Sequence, residues 1–332
     1  EGDVPQISIP VDFVQDNALD SILEGEQVPQ VSAIGKKYTF SPLCRQIVLD
    51  ISKADGFREL RAVDRFGEVD VAWVFTITAE EDCNMAVAYM RDVVRRRGMK
   101  GLIAVDCEAS RGMDRFGNLC LVQASPGDGT CFLFDYATSA GRAGTHVFAS
   151  LRQLLEDKVV PKIFHDCRGD ADILLHRAGI TIANVRDTQI LYCVYSRQNG
   201  RGTPLPIGLN RYLGRYGLGF FNEMKGKERV KMTGDAEYWE QRPLSLDMIK
   251  YACEDVLFLT AGFLQLWHML SGKSQEIVLE RSSRYAEQYR AMDDVQITRR
   301  REESAARDRQ REAETQPQTQ TPGAAARQGR FV

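Results

Sequence analysis

The sequence has no apolar run approaching the roughly 20 residues that a helix needs to cross a bilayer, so we expect no membrane-spanning segment. It also lacks a G-x-G-x-x-G segment after its first predicted strand, which removes the dinucleotide-binding interpretation and predicts no nucleotide cofactor. The formal net charge of −3 over 332 residues provides no overall positive field. A nucleic-acid partner would therefore have to be held by local basic patches.

Zinc-binding spacing is missing as well. The eight cysteines are scattered, with no C-x-x-C pair and no Cys/His arrangement suited to a zinc site. Most of them lie inside apolar stretches, so we expect buried, reduced thiols and an intracellular, reducing compartment. The chain begins with Glu-Gly rather than Met, which is expected of a trimmed or mature fragment that would lack any N-terminal targeting signal.

The apolar pattern predicts a mixed sheet. Strands are predicted at residues 71–78, 101–106, 118–124 and 130–136, the last two joined by a P-G-D-G turn. Helices then alternate with short strands up to residue 198, a short helix is expected near 209–216, and 244–270 is predicted to be one long helix. Hairpin-linked strands followed by this alternation are typical of an α/β fold, with a mixed sheet flanked by helices.

Composition divides the chain into four parts. Residues 1–69 are predicted to be an N-terminal extension packed on the core, and residues 70–272 are the predicted globular domain. Residues 273–297 are predicted to form a charged surface helix. Residues 298–332, rich in Arg, Glu, Gln and Thr, are predicted to be a disordered tail, because such a composition cannot bury a core.

Two acids lie two residues apart in the segment IAVDCEAS (103–110). Asp106 and Glu108 would share one face of a strand, and at about 4 Å their repulsion amounts to roughly 4 kcal/mol. Divalent-metal ligation by hard oxygen atoms would offset that repulsion. A strand end that emerges into solvent explains this pair equally well.

Further acids follow in the segments HDCRGDAD and YACEDV. Asp170 is predicted at a strand-to-helix junction, where it could also be a first-turn acid; Asp166 and Asp172 compete for that role. Tyr251 and Asp255 are four residues apart on the late helix and therefore share a face. Each signal alone is weak, but together they give an ordered set: D-x-E on a strand, D at a helix start, and Y-x-x-x-D.

This set resembles the RNase D family of DEDD 3′→5′ exonucleases, in the tyrosine subclass. Five separated segments agree in order: VDCEASR, NLCLVQA, FHDCRGDADIL, VRDTQ and WEQRPLSLDMIKYACEDVLFL. They cover about residues 70–270, so the predicted domain is identified as a 3′-5′ exonuclease domain with an RNase H-like (DnaQ-like) fold. Arg186 replaces an aromatic residue of the family, and Lys250 stands where other relatives carry His.

The resemblance implies a catalytic set and two divalent cations, Mg²⁺ or Mn²⁺. Asp106, Glu108 and Asp255 would hold one ion, and Asp106 would bridge to a second ion held by Asp170. Tyr251 would orient the attacking water. The implied reaction is hydrolysis of the terminal phosphodiester of single-stranded RNA 3′ ends, which releases nucleoside 5′-monophosphates.

Substrate contacts are predicted less specifically. The segment MKGKERVKM carries Lys225, Lys227 and Lys231, which would contact phosphates if the loop borders the site, although a solvated surface loop explains them as well. Arg111 would meet a phosphate or an internal acid. His165 is a further candidate for RNA contact, but a strand-end His favours a structural role. The terminal extensions are candidate docking segments for protein partners.

Three functions stay open on this evidence. The first is the exoribonuclease; compact kinetoplastid mitochondrial members of the family, which trim uridine tails of guide RNAs, are similar in arrangement and would imply a mitochondrial location. The second is a DNA exonuclease of the same fold. The third is a nuclease-like RNA-binding adaptor without catalysis, which the presence of all four acids and the tyrosine disfavours.

Overall fold

The computed structural model describes residues 30–33, 36–50, 71–139, 148–202, 204–216, 231–232 and 234–315. Within them, β1 (Gln30–Ala33) and β2 (Lys36–Thr39) form an antiparallel hairpin. The main sheet contains β3 (Arg45–Asp50), β4 (Val71–Ile77), β5 (Ile103–Ser110), β6 (Asn118–Ser125), β7 (Thr130–Asp135), β8 (Lys162–Phe164) and β9 (Val185–Asp187).

The seven strands lie in the order β3-β4-β7-β6-β5-β8-β9. β3/β4, β7/β6 and β6/β5 are antiparallel, whereas β4/β7, β5/β8 and β8/β9 are parallel. The prediction of a mixed sheet is confirmed. Since β5, β8 and β9 run in the same direction, their carboxyl ends meet at one edge of the sheet.

Helices cover both faces of this sheet. One core contains residues from α1 (Glu80–Arg97), α3 (Ala149–Glu156) and α4 (Arg168–Ala178). The opposite core contains residues from α5 (Thr188–Gln198), α6 (Leu209–Tyr216), α7 (Leu246–Leu257) and α8 (Leu259–Trp267). The single turn α2 (Tyr136–Ser139) follows β7, and α9 (Gly272–Glu287) packs against β9, α5 and α4.

The central strand β5 shows how the two cores are separated. Ile103, Val105 and Cys107 belong to the core under α1, α3 and α4. Ala104 belongs to the opposite core. Successive side chains of a strand alternate between faces. The two acids of β5 therefore continue the face that α7 covers.

The late helix is not continuous as predicted. It ends at Leu257, and α8 begins at Leu259, with Phe258 between them at φ −98° and ψ −6°. This backbone departs from helical values near −63° and −42°, so the regular hydrogen-bond ladder is interrupted there. The apolar stripe predicted the buried face correctly, but it carried no signal for the break.

The predicted boundaries also differ from the structure at both ends. Strand β3, within the predicted extension 1–69, is a member of the main sheet, while residues 1–29 and 51–69 lie outside the described ranges. The disordered tail predicted from residue 298 is wrong for 298–315, because α10 runs over Asp294–Thr315. Arg, Glu and Ala are good helix formers, and Arg299 pairs with Glu303 one turn later at 3.1 Å. Residues 316–332 lie outside the described ranges.

The chain divides into two compact units, residues 1–290 and 291–332. The sheet and helices α1 to α9 belong to the first unit, and α10 belongs to the second. Among the helices that the structure describes, none combines the length and the hydropathy of a membrane span.

Candidate active site

Three carboxylates meet between the central strand and α7. One oxygen each of Asp106, Glu108 and Asp255 lies within 4.8 Å of the others. Glu108 and Asp255 are buried, with 7% and 1% of their surface exposed, and Asp106 is half-buried. We call this set the three-acid group. Its members are like-charged and removed from water, so a cation between them would relieve a repulsion that the fold itself creates.

Gln123, on the neighbouring strand, bridges two of these acids. Its buried amide Nε2 donates to Asp106 Oδ2 at 3.1 Å and to Glu108 Oε1 at 3.2 Å. On the neighbouring strand β6 it lies directly opposite Asp106. The strand that contains Gln123 was predicted correctly, but no role was predicted for this residue. A bulge after Glu108 shifts the register between β5 and β6, so the residue opposite Asp106 cannot be found by counting back from the loop that joins them.

Replacing Gln123 by Met is expected to destabilise the metal-free protein by about 1–3 kcal/mol, because two carboxylates then lose their shared donor. Gln123→Glu should cost more, since it adds a fourth acid at the same point. The measurement is urea unfolding in EDTA and again in Mg²⁺. Equal stability of the Gln, Met and Glu forms in EDTA would contradict a bridging role for the amide.

Asp170 lies close to this group but outside it. It occupies the first turn of α4 and is buried, and its Oδ1 has no hydrogen-bond partner among the described residues. Burial first, and then the charge of Asp106, raises the pKa of the Asp170 carboxyl well above its usual range. The adjacent Gly169 allows α4 to pack closely on Met113, since a Cβ there would lie 2.8 Å from Met113 Cγ and 2.9 Å from its carbonyl oxygen. An orphaned buried acid beside Asp106 fits a second cation-binding position.

The segment before α7 anchors the helix that carries Tyr251 and Asp255. Arg242 binds Asp135 at the end of β7 through two hydrogen bonds, of 2.7 and 2.6 Å. Ser245 caps the helix, accepting a hydrogen bond from Met248 N at 3.2 Å. The W-x-x-R-P-L lead-in thus fixes the start of α7 on the sheet.

Tyr251 projects from the same helix, one turn before Asp255. Its ring is half-buried and packs edge-to-face on Trp239, with 5.7 Å between ring centroids. The side chain therefore has a fixed orientation beside the three-acid group. This position suits a group that orders a small molecule next to the carboxylates.

Two of the predicted cationic substrate contacts, Arg111 and Lys231, lie among the described residues. Arg111 forms an exposed ion pair with Glu237, and Lys231 lies 3.4 Å from Asp247. Lys225 and Lys227 fall outside the described residues. The predicted phosphate contacts of these residues stay predictions.

His165 has a structural role. Its Nδ1 is 2.8 Å from Thr188 Oγ1, and its Nε2 is 2.8 Å from the carbonyl oxygen of Ile207. Both ring nitrogens are thus engaged inside the protein. These contacts favour the structural alternative derived from its strand-end position, and the assignment of His165 to RNA contact stays a prediction.

A helix beyond the predicted domain boundary holds the Asp170 segment. Arg168 pairs with Asp166 at 2.6 and 2.8 Å, and its guanidinium lies over two rings near the end of α9, 4.6 Å from the centroid of Tyr285 and 4.9 Å from that of Tyr289. Asp166 has a left-handed backbone, with φ of 63°. These contacts hold an otherwise strained turn just before Asp170.

A buried ion pair between Arg115 and Asp172 fixes α4 to the loop after β5. Arg115 donates to Asp172 through its backbone N at 2.7 Å and its guanidinium at 2.8 Å. It also donates to the carbonyl oxygen of Tyr289 at 2.9 Å. Asp172 is fully buried and Arg115 nearly so. The sequence showed no sign of this pair, because Arg115 belongs to none of the matching segments, although Asp172 lies within HDCRGDAD.

Comparison with known proteins assigns the fold and the family. A family model described as 3′-5′ exonuclease matches residues 74–271, more than half of the chain. The piRNA biogenesis protein EXD1 of Mus musculus is 32% identical over 154 residues, which cover 44% of this chain and 25% of that protein. Ribonuclease D of Acidiphilium cryptum is 28% identical over 164 residues, which cover 49% of this chain and 36% of that enzyme.

A solved structure agrees with this result. Trypanosoma brucei RNase D in complex with RNA U12 superposes with a TM-score of 0.50 at 25% identity, covering 65% of this chain and 70% of that one. The predicted RNase H-like fold is therefore confirmed, although the chain spans well under half of the two curated relatives. With the acids brought together on this fold, the chain belongs to the 3′-5′ exonuclease family.

Proposed function

We propose that this protein is a metal-dependent 3′→5′ exoribonuclease of the tyrosine subclass, which removes nucleoside 5′-monophosphates from single-stranded RNA 3′ ends. The observation that carries the proposal is the three-acid group, with ligand atoms within 4.8 Å of one another. The choice of RNA follows from the RNase D relatives, one of which is solved with RNA.

The residues fit two divalent cations. All four acids offer the hard oxygen atoms that Mg²⁺ and Mn²⁺ prefer, and Asp170 Oδ1 has no partner among the described residues. Asp106, Glu108 and Asp255 would hold one ion, and Asp106 with Asp170 the other. Bound there, the pair would supply positive charge to the attacking and leaving oxygens of an in-line displacement.

The chain's own residues would then set the geometry of attack. Tyr251, oriented by Trp239, would position the attacking water through its hydroxyl. Gln123 would keep Asp106 and Glu108 apart and aligned. Arg242 and Ser245 would keep Asp255 at a constant distance from β5 by fixing the start of α7.

The test is a gel assay with 5′-labelled single-stranded RNA and DNA oligomers in Mg²⁺, Mn²⁺ or EDTA. We expect a ladder that shortens from the RNA 3′ end and disappears in EDTA. Asp255→Asn serves as the inactive control, and Lys158→Gln as an exposed variant that keeps all four acids. An RNA ladder that persists in EDTA would overturn the metal-dependent proposal.

Two other functions have specific outcomes in the same assay. Equal or faster shortening of DNA would favour a DNA exonuclease of the same fold. The 32% identity to a piRNA biogenesis protein keeps an RNA-binding adaptor as the second candidate. Intact oligomers under every metal, with RNA binding retained, would favour the adaptor.

Location and partners are narrower proposals. The eight cysteines are free thiols, seven of them buried, which supports a reducing intracellular compartment. A mitochondrial role in trimming guide RNA uridine tails is proposed from the compact arrangement of the domain. Faster shortening of uridine tails than of adenosine tails would support it. The terminal extensions are proposed as docking segments for protein partners.

A further inference from the structure

Charge is unevenly distributed along the helices that follow β9. From Thr188 to Tyr216 the chain contains four arginines and no aspartate or glutamate, although the whole chain has a net charge of −3. The arginines are Arg197, Arg201, Arg211 and Arg215, and all four are exposed. A local positive surface of this kind attracts a polyanion.

The position of two of these arginines is not explained by helix stability. Arg211 and Arg215 are four residues apart on α6, so they face each other across one turn, and like charges at that spacing destabilise a helix. Within the described part of the chain, neither they nor Arg201 pairs with a carboxylate. An anionic partner from outside the fold would remove the repulsion.

Tyrosines lie among these arginines. The rings of Tyr192 and Tyr195 on α5 each lie 5.9 Å from that of Tyr216 on α6. The guanidinium of Arg215 lies 5.5 Å from the centroid of Tyr216, and the charge of Arg201 also acts on that ring. Tyr192 and Tyr195 are only half-buried, so part of each residue remains accessible to solvent. We call these five residues and Arg211 the tyrosine–arginine patch.

A purely structural explanation covers only part of this cluster. Tyr212 is fully buried and donates to the carbonyl oxygen of Gly262 at 2.9 Å, so it belongs to the core. Tyr192 and Tyr195 pack on the edge of the same core and remain partly exposed. Exposed ring faces interleaved with cations are the combination that holds unstacked bases and their phosphates.

The patch is connected to the edge of the sheet that carries the acids. His165 follows β8, whose carboxyl end meets that of β5, and its ring lies 5.6 Å from Tyr212. Thr188, which His165 contacts, begins α5. Tyr192 and Tyr195 follow one and two turns later, roughly 6 and 10 Å along the helix axis. A strand whose 3′ end lies at the acids can therefore pass over the patch.

We propose that the tyrosine–arginine patch binds single-stranded RNA upstream of the 3′-terminal nucleotide, with bases on the tyrosine faces and phosphates on the arginines. The inference rests on the proposed function and assigns it a second RNA-binding surface, separate from the acids. Because stacking tolerates every base and arginine recognises phosphate, binding at the patch is independent of sequence.

The experiment measures binding without hydrolysis, by fluorescence anisotropy in EDTA with labelled single-stranded RNA of about 12 nucleotides. The variant Arg211→Gln/Arg215→Gln removes two exposed charges, and Arg96→Gln/Lys100→Gln, on the opposite helical layer, removes the same number. We expect the patch variant to bind RNA at least about tenfold more weakly. The slope of the logarithm of the binding constant against the logarithm of the salt concentration should be smaller in magnitude by about 1.4. The control should bind as the wild type does. Tyr195→Leu, which keeps apolar volume but removes the ring, should also weaken binding.

A dinucleotide substrate separates the patch from the catalytic site. It does not reach the patch, so its hydrolysis rate should be unchanged in Arg211→Gln/Arg215→Gln. Wild-type affinity of that variant for the long RNA, or equal losses for long RNA and dinucleotide, would overturn the inference. Tighter patch-dependent binding of DNA of the same length would overturn the assignment to RNA. Patch-dependent RNA binding in a protein that hydrolyses no oligomer would contradict the proposed function while supporting the patch.

Discussion

Replacing Asp106 by Asn is expected to lower the rate of RNA 3′-end hydrolysis by at least about a thousandfold. Asp106 contributes to the three-acid group and is the acid whose charge acts most strongly on Asp170, so it would serve both proposed cation positions. Asparagine keeps the shape but removes the charge. Single-turnover rates with labelled RNA at saturating Mg²⁺ measure the effect. Tyr251→Phe, which removes a hydroxyl but no ligand, should cause a smaller fall.

The same variant provides its own control for folding. In EDTA, Asp106→Asn should unfold at a higher temperature than the wild type, because one of three like charges is gone. Added Mg²⁺ should raise the midpoint of the wild type more than that of the variant. An inactive variant that is also less stable in EDTA would point to misfolding, and one with activity within tenfold of the wild type would contradict the assignment of Asp106.

Arg115→Ala is expected to destabilise the protein by about 3–5 kcal/mol, the largest effect on stability that we predict. The change leaves Asp172, which is fully buried, without its guanidinium partner. His176 lies 3.6 Å from Asp172 and offers only a distant replacement. The carbonyl oxygen of Tyr289 also loses its donor. Urea unfolding followed by circular dichroism measures the loss.

The matched double variant Arg115→Met/Asp172→Leu should recover most of that stability, since two apolar side chains replace a buried pair at similar volume. Recovery would show that the cost of Arg115→Ala comes from the stranded carboxylate. A loss below about 1 kcal/mol for Arg115→Ala would mean that water reaches Asp172.

Much of the sheet and the acids could be predicted because each depends on a short periodicity. Alternation along β5 put Asp106 and Glu108 on one face, and the four-residue spacing put Tyr251 one turn from Asp255. Contacts between distant segments had no such signal. The bridging amide of Gln123 depends on a bulge, and the engagement of His165 depends on a carbonyl 42 residues away.

The wrong prediction of a disordered tail has a physical cause. An amino-acid composition with few apolar residues indicates that a segment cannot bury a hydrophobic core. A segment such as α10 can still be helical without a core, because its residues have high helix propensity. For α9, the prediction of a charged surface helix agrees with its mostly exposed side chains, but no pattern indicated that Ser282 is fully buried and accepts a hydrogen bond from Asp187 N at 2.9 Å. The contact between α9 and β9 could not be predicted, because it depends on two segments that are far apart in the sequence.

The crowding of like charges around Asp106 has an evolutionary consequence. A fold that carries this repulsion gains stability whenever a substitution removes one acid, so selection for stability alone acts against the catalytic site. The tyrosine–arginine patch bears no such penalty from the acids. If the patch binds RNA as proposed, a gene copy freed from selection for the proposed activity would drift toward a more stable protein that still binds RNA.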